Sequence, residues 1–504
     1  MSTFRNAQRQ AHPSKTNTLL VGIICVLVLI VTMQVWLLTA ALTTSLEGGE
    51  LKWPAFWASL ALFGSGAALL RYLPMPIRLP AQPAVVEDFP RAALAWRTLS
   101  ISAVSLALSF AVWFMWSAIP LRLNHAGFHL TRQQLFWLTS TPVVLGSLLR
   151  IPYGLLVSSF GSRRSYSLVT LLLLLPCFAT GFAVRNPDTP YWVLLGCAAL
   201  TGIAGANFAT SMGVINLWFP KQAQGTALGI NGLGNLGVTV AQFVIPLVIG
   251  YAWFGSRSGS TVPLGEPPLH LENAAFVWVP FILICGAVLW FGTEDFPTPR
   301  RTIASQLAVA KKRHTWILSS LYFLTFGCFV AMGASLPLII KEVFATAPGG
   351  APNPLLYAPW AAAIATLTRP LGGWLADRWG AGRITSISVT LMAIGGFSLS
   401  AFLSAQDFKG FFALILLICA AAGLGNGSIF KAIPLVLPIN PGPAIGFVSC
   451  IGALGGFVPP LLLGWTIDHL GSPAWAYTAM AIFAVFCLAT NLWYYQRRGS
   501  ATHC

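Results

Sequence analysis

Two arginines stand inside long apolar segments of the chain, where ionisable side chains are rare. Arg150 lies in the stretch VVLGSLLRIPYG and Arg369 in ATLTRPLGGW. All thirteen carboxylates occupy loops or the ends of apolar segments. A cation inside an apolar helix normally pairs or lines a cavity, because burying it alone costs about 2.5–3.5 kcal/mol even on lenient scales. With no buried carboxylate predicted, we expect the partner to be a small anion.

A purely structural role for each arginine stays open. Pro152 and Pro370 would kink the helices beside them, and a guanidinium could bond the carbonyl groups that a kink frees. The spacing of the two arginines favours a ligand site instead. Arg150 and Arg369 are separated by the same number of residues as other pairs of similar positions in the chain. This indicates an internal repeat in which the two arginines occupy the same position of each half. A guanidinium is planar, always charged and carries a fork of donors that fits planar oxyanions.

Amides and aromatic residues accompany the arginines at mid-segment positions. Amide N–H groups can donate to a weakly hydrated anion, and rings can cover its faces. Asn207 and Asn426 are separated by the same interval as the two arginines. Any single one of these residues could simply pack helices, but the set together indicates a pocket. Its candidates are Asn207, Phe208, Asn235, Tyr322, Phe326 and Asn426.

Lys431 is the third cation inside an apolar segment, in GNGSIFKAIP. Proton coupling in membranes usually uses a buried Asp, Glu or His, and none is predicted at mid-span. Lys431 is therefore the candidate for coupling anion movement to a proton. Two alternatives stay open, a fixed charge that attracts anions and a side chain that extends to the aqueous interface.

The composition identifies an integral membrane protein. Of 504 residues, 56% are hydrophobic and 8% are charged, and the mean hydropathy is +0.74. Soluble domains carry roughly 25% charged residues. The net charge of +16 is spread through short loops, which argues against nucleic-acid binding. The nine cysteines show no paired spacing, so we expect no metal site, and we expect no cofactor and no catalytic residues.

Fourteen membrane spans are predicted, two leading helices and a twelve-helix core. If both termini are cytoplasmic, inner segments hold 19 Lys and Arg and outer loops hold 7, as the positive-inside rule requires. The predicted regions are two helices over residues 1–72, a Pro-rich linker over 73–97, a six-helix bundle over 98–295, a basic loop over 296–314, and a second bundle with a short tail over 315–504.

Two Gly-rich stretches lie in opposite halves of the core, GTALGINGLGNLG (225–237) and AIGFVSCIGALGGF (444–457). We predict helices there, because backbone groups in a membrane must be paired within the segment. Small residues let a neighbouring helix come close. We expect the two stretches to face one another. The glycines of interest are Gly229, Gly232, Gly234, Gly237, Gly446, Gly452 and Gly455.

A repeated loop gives the first resemblance to a known family. GLLVSSFGSRR begins at Gly154 and GWLADRWGAGR at Gly373, again at the interval that separates the arginines. This loop resembles the major facilitator superfamily signature between the second and third helices. The resemblance implies an all-α fold of two six-helix bundles with pseudo-two-fold symmetry and a substrate site at midplane. The second copy keeps Asp377 and Arg378, whereas the first has Ser158 and Ser159.

Longer motifs narrow the family. GANFATSM…FPKQAQGTALGINGLGNLGVTVAQ resembles the nitrate signature of the NarK-type nitrate/nitrite porters, and GFVSCIGALGGF resembles its second copy. LFWL…LLRIPYG and LYFLTFG are further matches. The resemblance implies transport of nitrate and nitrite by alternating access across a bacterial inner membrane. It also implies that the two Gly-rich helices slide against their neighbours during transport, which makes the seven glycines named above candidate gating residues. It implies a pocket of Arg150 and Arg369 with Asn235, Phe208, Tyr322 and Phe326, and weaker candidates in Asn207, Asn426 and Ser449.

The coupling mode stays open at this point. Lys431 stands where exchangers of the family are expected to have a neutral residue, and a Lys there is similar to the branch that carries nitrate with protons. Nitrate–proton symport and nitrate/nitrite antiport are therefore both kept. Another small anion such as formate or a phosphate ester, and a sensor or scaffold that does not transport, are further alternatives. Membrane lipid surrounds the chain, and homo-oligomers or association with a membrane nitrate reductase stay open.

Overall fold

A computed structural model describes residues 92–219, 224–251, 269–295, 308–345, 347, 350–437 and 441–497. Every regular element within these residues is a helix. The two leading helices predicted over residues 1–72 lie outside the described residues, as does most of the linker predicted over 73–97.

In the N-terminal half, the described residues 92–219, 224–251 and 269–295 form eleven α-helices. They are α1 Ala92–Trp113, α2 Pro120–Leu123, α3 Arg132–Phe160, α4 Ser162–Leu171, α5 Leu174–Ala183, α6 Tyr191–Leu200, α7 Gly202–Trp218, α8 Gln224–Asn231, α9 Gly237–Val248, α10 Asn273–Phe276 and α11 Val279–Gly292. Three 3-10 turns connect them, Met115–Ser117, Asn124–Ala126 and Gly232–Leu236.

The C-terminal half, residues 308–497, has longer and less interrupted helices. They are α12 Arg313–Val343, α13 Pro354–Trp379, α14 Ala381–Ser404, α15 Phe408–Val436, α16 Pro441–Leu454, α17 Val458–Leu470 and α18 Ala474–Asn491. A 3-10 turn, Ala308–Lys311, precedes α12, and a π-helical turn, Leu492–Gln496, follows α18.

Eleven stretches within the described residues are long and apolar enough to cross a membrane. They match eleven of the twelve core spans predicted from the sequence. The remaining core span, which the sequence predicts over residues 355–376, falls in α13, a helix of 26 residues that is long enough to span but less apolar. Thr366, Thr368 and Arg369 lower its hydropathy, and Thr366 and Arg369 are buried. Polar residues facing a protein interior explain why this helix is less apolar than the others.

The repeated loop ends equivalent helices in the two halves. α3 ends at Gly161 with a φ of 90°, and α13 ends at Gly380 with a φ of 91°. Side chains other than Gly avoid this region of backbone space. The matched glycines therefore explain why both helices stop at the same point of the repeat, and they fix the direction in which α4 and α14 begin.

The first Gly-rich stretch is not one continuous helix, contrary to the prediction. α8 ends at Asn231, a 3-10 turn occupies Gly232–Leu236, and α9 starts at Gly237. Glycine has a low helix propensity, so the tighter turn forms where two glycines and Asn235 fall together. The second stretch also breaks, because α16 ends at Leu454 and α17 begins at Val458.

The two Gly-rich stretches do not mainly face one another, which corrects the expectation. α8, the 3-10 turn and α9 pack along α13, whereas α16 packs along α3. Each Gly-rich stretch thus lies against the arginine-bearing helix of the opposite half. Within each half, the arginine helix packs closely on the helix of the matched asparagine, α3 on α7 and α13 on α15.

Candidate substrate-binding site

Arg150 and Arg369 are both fully buried, with exposed fractions of 0% and 1%. Helices α3 and α13 bring them to the interface between the halves. The Arg369 side chain lies directly against Gly232 in the Gly-rich turn. A Cβ at position 232 would be only 3.0 Å from Arg369 Nε, so the absence of a side chain there makes room for the guanidinium.

Arg150 is held largely by backbone carbonyl groups. Its Nε donates to the Gly205 carbonyl oxygen in α7 (3.2 Å), and its Nη1 donates to the Ser449 carbonyl oxygen in α16 (2.9 Å). Its Nη2 is buried and meets no acceptor in the described part of the chain. The structural alternative considered from the sequence is therefore partly right. Backbone carbonyl groups do bind Arg150, but they belong to other helices, and they leave Nη2 without an acceptor among the described residues.

Arg369 has a different set of neighbours. Its Nη2 donates to the Tyr322 hydroxyl in α12 over 3.4 Å. Its Nη1 is buried and, within the residues described, has no hydrogen-bond partner. Leaving a buried donor of a charged group unsatisfied is costly. Each half therefore contributes one buried guanidinium nitrogen that a bound anion could satisfy.

Two rings contact both arginines. The Cζ atoms of Arg150 and Arg369 lie 4.6 and 5.3 Å from the Phe208 ring centroid, and 5.0 and 6.0 Å from that of Phe326. The two ring centroids are 5.7 Å apart. Tyr322 stacks on Phe326 at 4.8 Å. Cation–π contacts of this kind are worth about 2 kcal/mol when desolvated, so the rings stabilise two charges that lie near one another.

Two further aromatic residues complete the ring cluster, and the sequence did not single them out. Trp113 lies 5.4 Å from Arg150 Cζ, and its Nε1 donates to the Pro142 carbonyl oxygen in α3. Phe430 lies 4.8 Å from Arg369 Cζ and packs against Phe208. Phe430 stands one helical turn after Asn426, so helix periodicity offered a signal for it. No comparable signal in the sequence distinguishes Trp113 from the many other aromatic residues in apolar segments.

The predicted amides divide into two groups. Asn235 and Asn426 are buried, and each has an Oδ1 without a partner among the described residues. Asn207 is buried too, and its Oδ1 likewise lacks a partner there, but its Nδ2 donates to Ser109 Oγ and to the Val169 carbonyl oxygen, both in its own half. Its amide group therefore braces the N-terminal half.

Ser449 contacts Arg150 directly, whereas Lys431 is placed only by its position next to Phe430 in α15. Ser449 contributes its backbone carbonyl to Arg150, while its hydroxyl donates to Gly446 in the same helix. Lys431 follows Phe430 in α15 and is half-buried. It is thus more exposed than either arginine.

The predicted gating glycines line contacts between helices. A Cβ on Gly452 would collide with the Tyr322 ring, and one on Gly455 with the backbone of Phe323, both in α12. Gly234 and Gly237 lie against α1, at Leu106 and Ala107, while Gly229 and Gly446 have ordinary spacing to Pro370 and to the Arg150 carbonyl oxygen.

Two cavities flank the arginine pair. The first, about 10 Å³ in volume, lies on the side of the α3 N-terminus and is lined by Trp113, Phe114, Trp116, Ser117, Thr139, Pro142, Val143 and Ala334. The second, also about 10 Å³ in volume, lies on the opposite side and is lined by Ile151, Gly154, Leu155, Val309, Pro443, Gly446 and Phe447. Both contain residues from the two halves, so the interface between the halves continues on either side of the site.

Comparison with known proteins identifies the family. The sequence model of the Major Facilitator Superfamily matches residues 101–433 and 356–503. A probable nitrate/nitrite antiporter, NarK2, of Thermus thermophilus is 40% identical over 427 residues, which cover 82% of this chain and 95% of the relative. The chain is a NarK-type nitrate/nitrite porter of the major facilitator superfamily.

Other porters agree. The nitrate/nitrite transporter NarU of Escherichia coli (strain K12) is 38% identical, covering 83% of this chain and 95% of NarU. A nitrite extrusion protein of Bacillus subtilis (strain 168) is 32% identical, covering 80% of this chain and 96% of the relative. These matches confirm the family predicted from the motifs. Residues 6–79 match a separate family of unknown function, DUF6755.

Proposed function

We propose that this porter is a secondary active transporter that carries nitrate and nitrite across the cell membrane by alternating access. The observation that carries the proposal is the arginine pair. Two buried guanidinium groups, one from each half, share the Phe208 and Phe326 rings, and each keeps one buried nitrogen without a partner among the described residues. The names of the relatives supply the identity of the anion.

The chemistry of the site suits a small planar oxyanion. Guanidinium donors lie in a plane and match oxyanion geometry, and the aromatic rings offer flat apolar walls. Arg150 Nη2 and Arg369 Nη1 would donate to oxygen atoms of the anion. The Phe208 and Phe326 rings would exclude water from its faces. The anion then supplies the negative charge that no carboxylate of the described site provides.

The same arrangement explains why an empty carrier resists changing direction. Closing the halves around two arginines without an anion would leave two charges dehydrated and partly unsatisfied, which is unfavourable. A bound anion removes this penalty in either direction. Obligatory nitrate/nitrite exchange follows from this property alone, and the antiporter name of one relative is in line with it.

Nitrate uptake with protons is the second coupling mode, and it requires Lys431. Nitrate moving inward alone would work against about 2.3 kcal/mol for each 100 mV of inside-negative potential. If Lys431 releases a proton inside after the anion leaves, the returning carrier holds one charge fewer and uptake becomes electroneutral. The half-buried position of Lys431 in α15, directly after Phe430, allows contact with water on the path.

Purified protein in liposomes distinguishes the two modes. A nitrate gradient is imposed with an internal pH dye and a nitrate probe, with and without internal nitrite. Symport predicts acidification without internal nitrite and its loss in Lys431→Gln. Exchange predicts nitrate uptake only with internal nitrite or nitrate, and no pH change. Absence of nitrate movement under both conditions would contradict the proposed function.

The topology belongs to the same proposal. We propose fourteen spans with both termini cytoplasmic, in which residues 1–72 add two helices before the two six-helix bundles 98–295 and 315–504. The loop charges support this orientation. The leading segment and its linker are the part available to a partner such as a membrane nitrate reductase. Topology reporters fused after residue 47 and after residue 85 should locate outside and inside, respectively.

A further inference from the structure

Arg132 joins the two halves at the end of the molecule nearest the α3 N-terminus. Its Nε donates to Glu342 Oε2 over 2.8 Å, and its Nη1 donates to Asp468 Oδ1 over 3.0 Å. Glu342 lies near the end of α12 and Asp468 near the end of α17. One cation of the N-terminal half thus binds two carboxylates of the C-terminal half. All three side chains are only partly exposed, at 39%, 19% and 33%.

Each of the three charges opposes the dipole of its own helix. Arg132 is the first residue of α3, where a negative charge would be favoured. Glu342 and Asp468 lie in the last turn of α12 and of α17, where a positive charge would be favoured. These residues therefore do not stabilise the helices that carry them. Their charges are instead explained by the ion pairs that they form across the interface between the halves.

Neighbouring polar contacts also cross between the halves on this side of the arginine pair. Lys341 Nζ donates to the Leu121 carbonyl oxygen over 3.0 Å, and Gln242 Nε2 donates to the Gly333 carbonyl oxygen over 2.7 Å. By contrast, Arg163 pairs with Asp295, and Arg185 with Glu272, inside the N-terminal half. The Arg132 cluster therefore belongs to a set of contacts that close one side of the interface.

We propose that Arg132, with Glu342 and Asp468, forms an ionic latch that holds the outer side of the transport path closed. The latch must open before an anion can reach Arg150 and Arg369 from outside. This inference rests on the proposed alternating access and orientation. In it, Arg132 is a positioning residue that sets the population of the outward-open state without touching the transported anion.

A thiol reporter measures this population without any transported anion. Ala334 lines the cavity between the Arg132 cluster and the arginine pair and is buried. Labelling of Ala334→Cys by a membrane-impermeant maleimide is compared with the unchanged chain, whose described cysteines are all buried. Adding Arg132→Gln should raise the labelling rate about fivefold, the population change expected for loss of two partly exposed ion pairs. Arg132→Lys should give an intermediate rate.

The matched control is Arg185→Gln, which breaks the Arg185–Glu272 pair within one half and should leave labelling unchanged. The double variant Glu342→Gln, Asp468→Asn repeats the test from the other side, and monodisperse elution verifies folding. Unchanged labelling in both latch variants would overturn the latch, even where nitrate transport is normal. Raised labelling in a protein that moves no nitrate would support the latch and contradict only the proposed function.

Discussion

Arg150 and Arg369 occupy the same position in two repeated halves, yet the protein holds them differently. Arg150 gives two of its three nitrogens to backbone carbonyls, one of them across the interface in α16. Among the residues that the structure describes, Arg369 has one long hydrogen bond, to Tyr322 in its own half, and it lies among rings. The repeat determines where the charges lie, but the local helices determine what binds them.

This difference assigns the two arginines distinct parts in the proposed cycle. The Arg150–Ser449 bond exists only while α3 and α16 are close, so Arg150 is tied to closure of the halves at the level of the site. Fewer of the Arg369 nitrogens are held by hydrogen bonds to protein groups, so its guanidinium can adjust its position to the bound anion. Both nevertheless offer one nitrogen to the site, and loss of either should be severe.

The largest expected effect is that of Arg150→Lys and Arg369→Lys. A lysine keeps the charge but loses the planar fork, and a hydrogen bond to a charged group is worth about 1.5–3 kcal/mol. Nitrate uptake by proteoliposomes should fall about tenfold to a hundredfold in each variant. Arg185→Lys, at a partly exposed ion pair far from the site, is the control and should transport normally. Near-normal uptake in either test variant would remove the site.

Gly452→Ala should come next and would sharpen the comparison on the Arg369 side. The added Cβ would collide with the Tyr322 ring, displacing the hydroxyl that binds Arg369, and overpacking of this kind costs about 1–3 kcal/mol. We expect uptake to fall about tenfold.

Gly446→Ala in the same helix is the matched variant for Gly452→Ala. Its added Cβ would lie 3.8 Å from the Arg150 carbonyl oxygen, an ordinary contact. Its uptake should stay close to that of the unchanged protein. Equal losses in the two variants would show that helix α16 tolerates no added methyl group, and the specific role of Tyr322 would be contradicted.

A smaller effect is expected for Tyr322→Phe, which removes the hydroxyl and keeps the ring. The lost bond spans 3.4 Å and should contribute about 1 kcal/mol, or up to about fivefold in the half-saturating nitrate concentration. The concentration dependence of initial uptake rates measures it. An increase as large as that of Arg369→Lys would show that the hydroxyl touches the anion itself.

The smallest effect is expected for Ser449→Ala. Arg150 uses the backbone carbonyl of Ser449, and the hydroxyl only bonds within its own helix. The half-saturating concentration should change by less than about twofold, since such local hydroxyl bonds add little to a helix. A large loss in the same uptake assay would place the hydroxyl in the anion site, as first expected from the family motifs.

The sequence predicted that Arg150 and Arg369 form the charged centre of the site, because buried cations need a negative partner and no carboxylate is predicted inside the membrane. The recurring interval linked Arg150 to Arg369, and mid-segment positions together with the family resemblance singled out Phe208, Tyr322 and Phe326. Trp113 and Phe430 were not predicted. Phe430 follows Asn426 by one helical turn, which was a signal for it, whereas Trp113 is one of many aromatic residues in membrane helices and only tertiary packing shows that it meets the site. The broken Gly-rich helix escaped prediction for a related reason, as local propensity does not reveal where a 3-10 turn fits against α13.

Arg132 shows a second limit of the sequence. In a loop-end position it resembles any other charge that sets membrane orientation, and nothing in its surroundings predicts two partners in the opposite half of the chain. Asn207 shows the reverse case. Its spacing to Asn426 predicts a place in the pocket, and among the described residues its Oδ1 is as unpartnered as that of Asn426, but its amide nitrogen donates to Ser109 and Val169. Symmetry predicts equivalent positions, and packing decides their use.

Equilibrium nitrate binding to the purified protein tests the central statement most directly, that one anion is shared by Arg150 and Arg369. Calorimetry would compare the unchanged protein with Arg150→Lys, Arg369→Lys and the double variant. A shared anion predicts that either single substitution removes most of the binding free energy, so that the double variant is scarcely worse than the singles. Additive losses, or a single variant that binds nitrate with unchanged affinity, would contradict it.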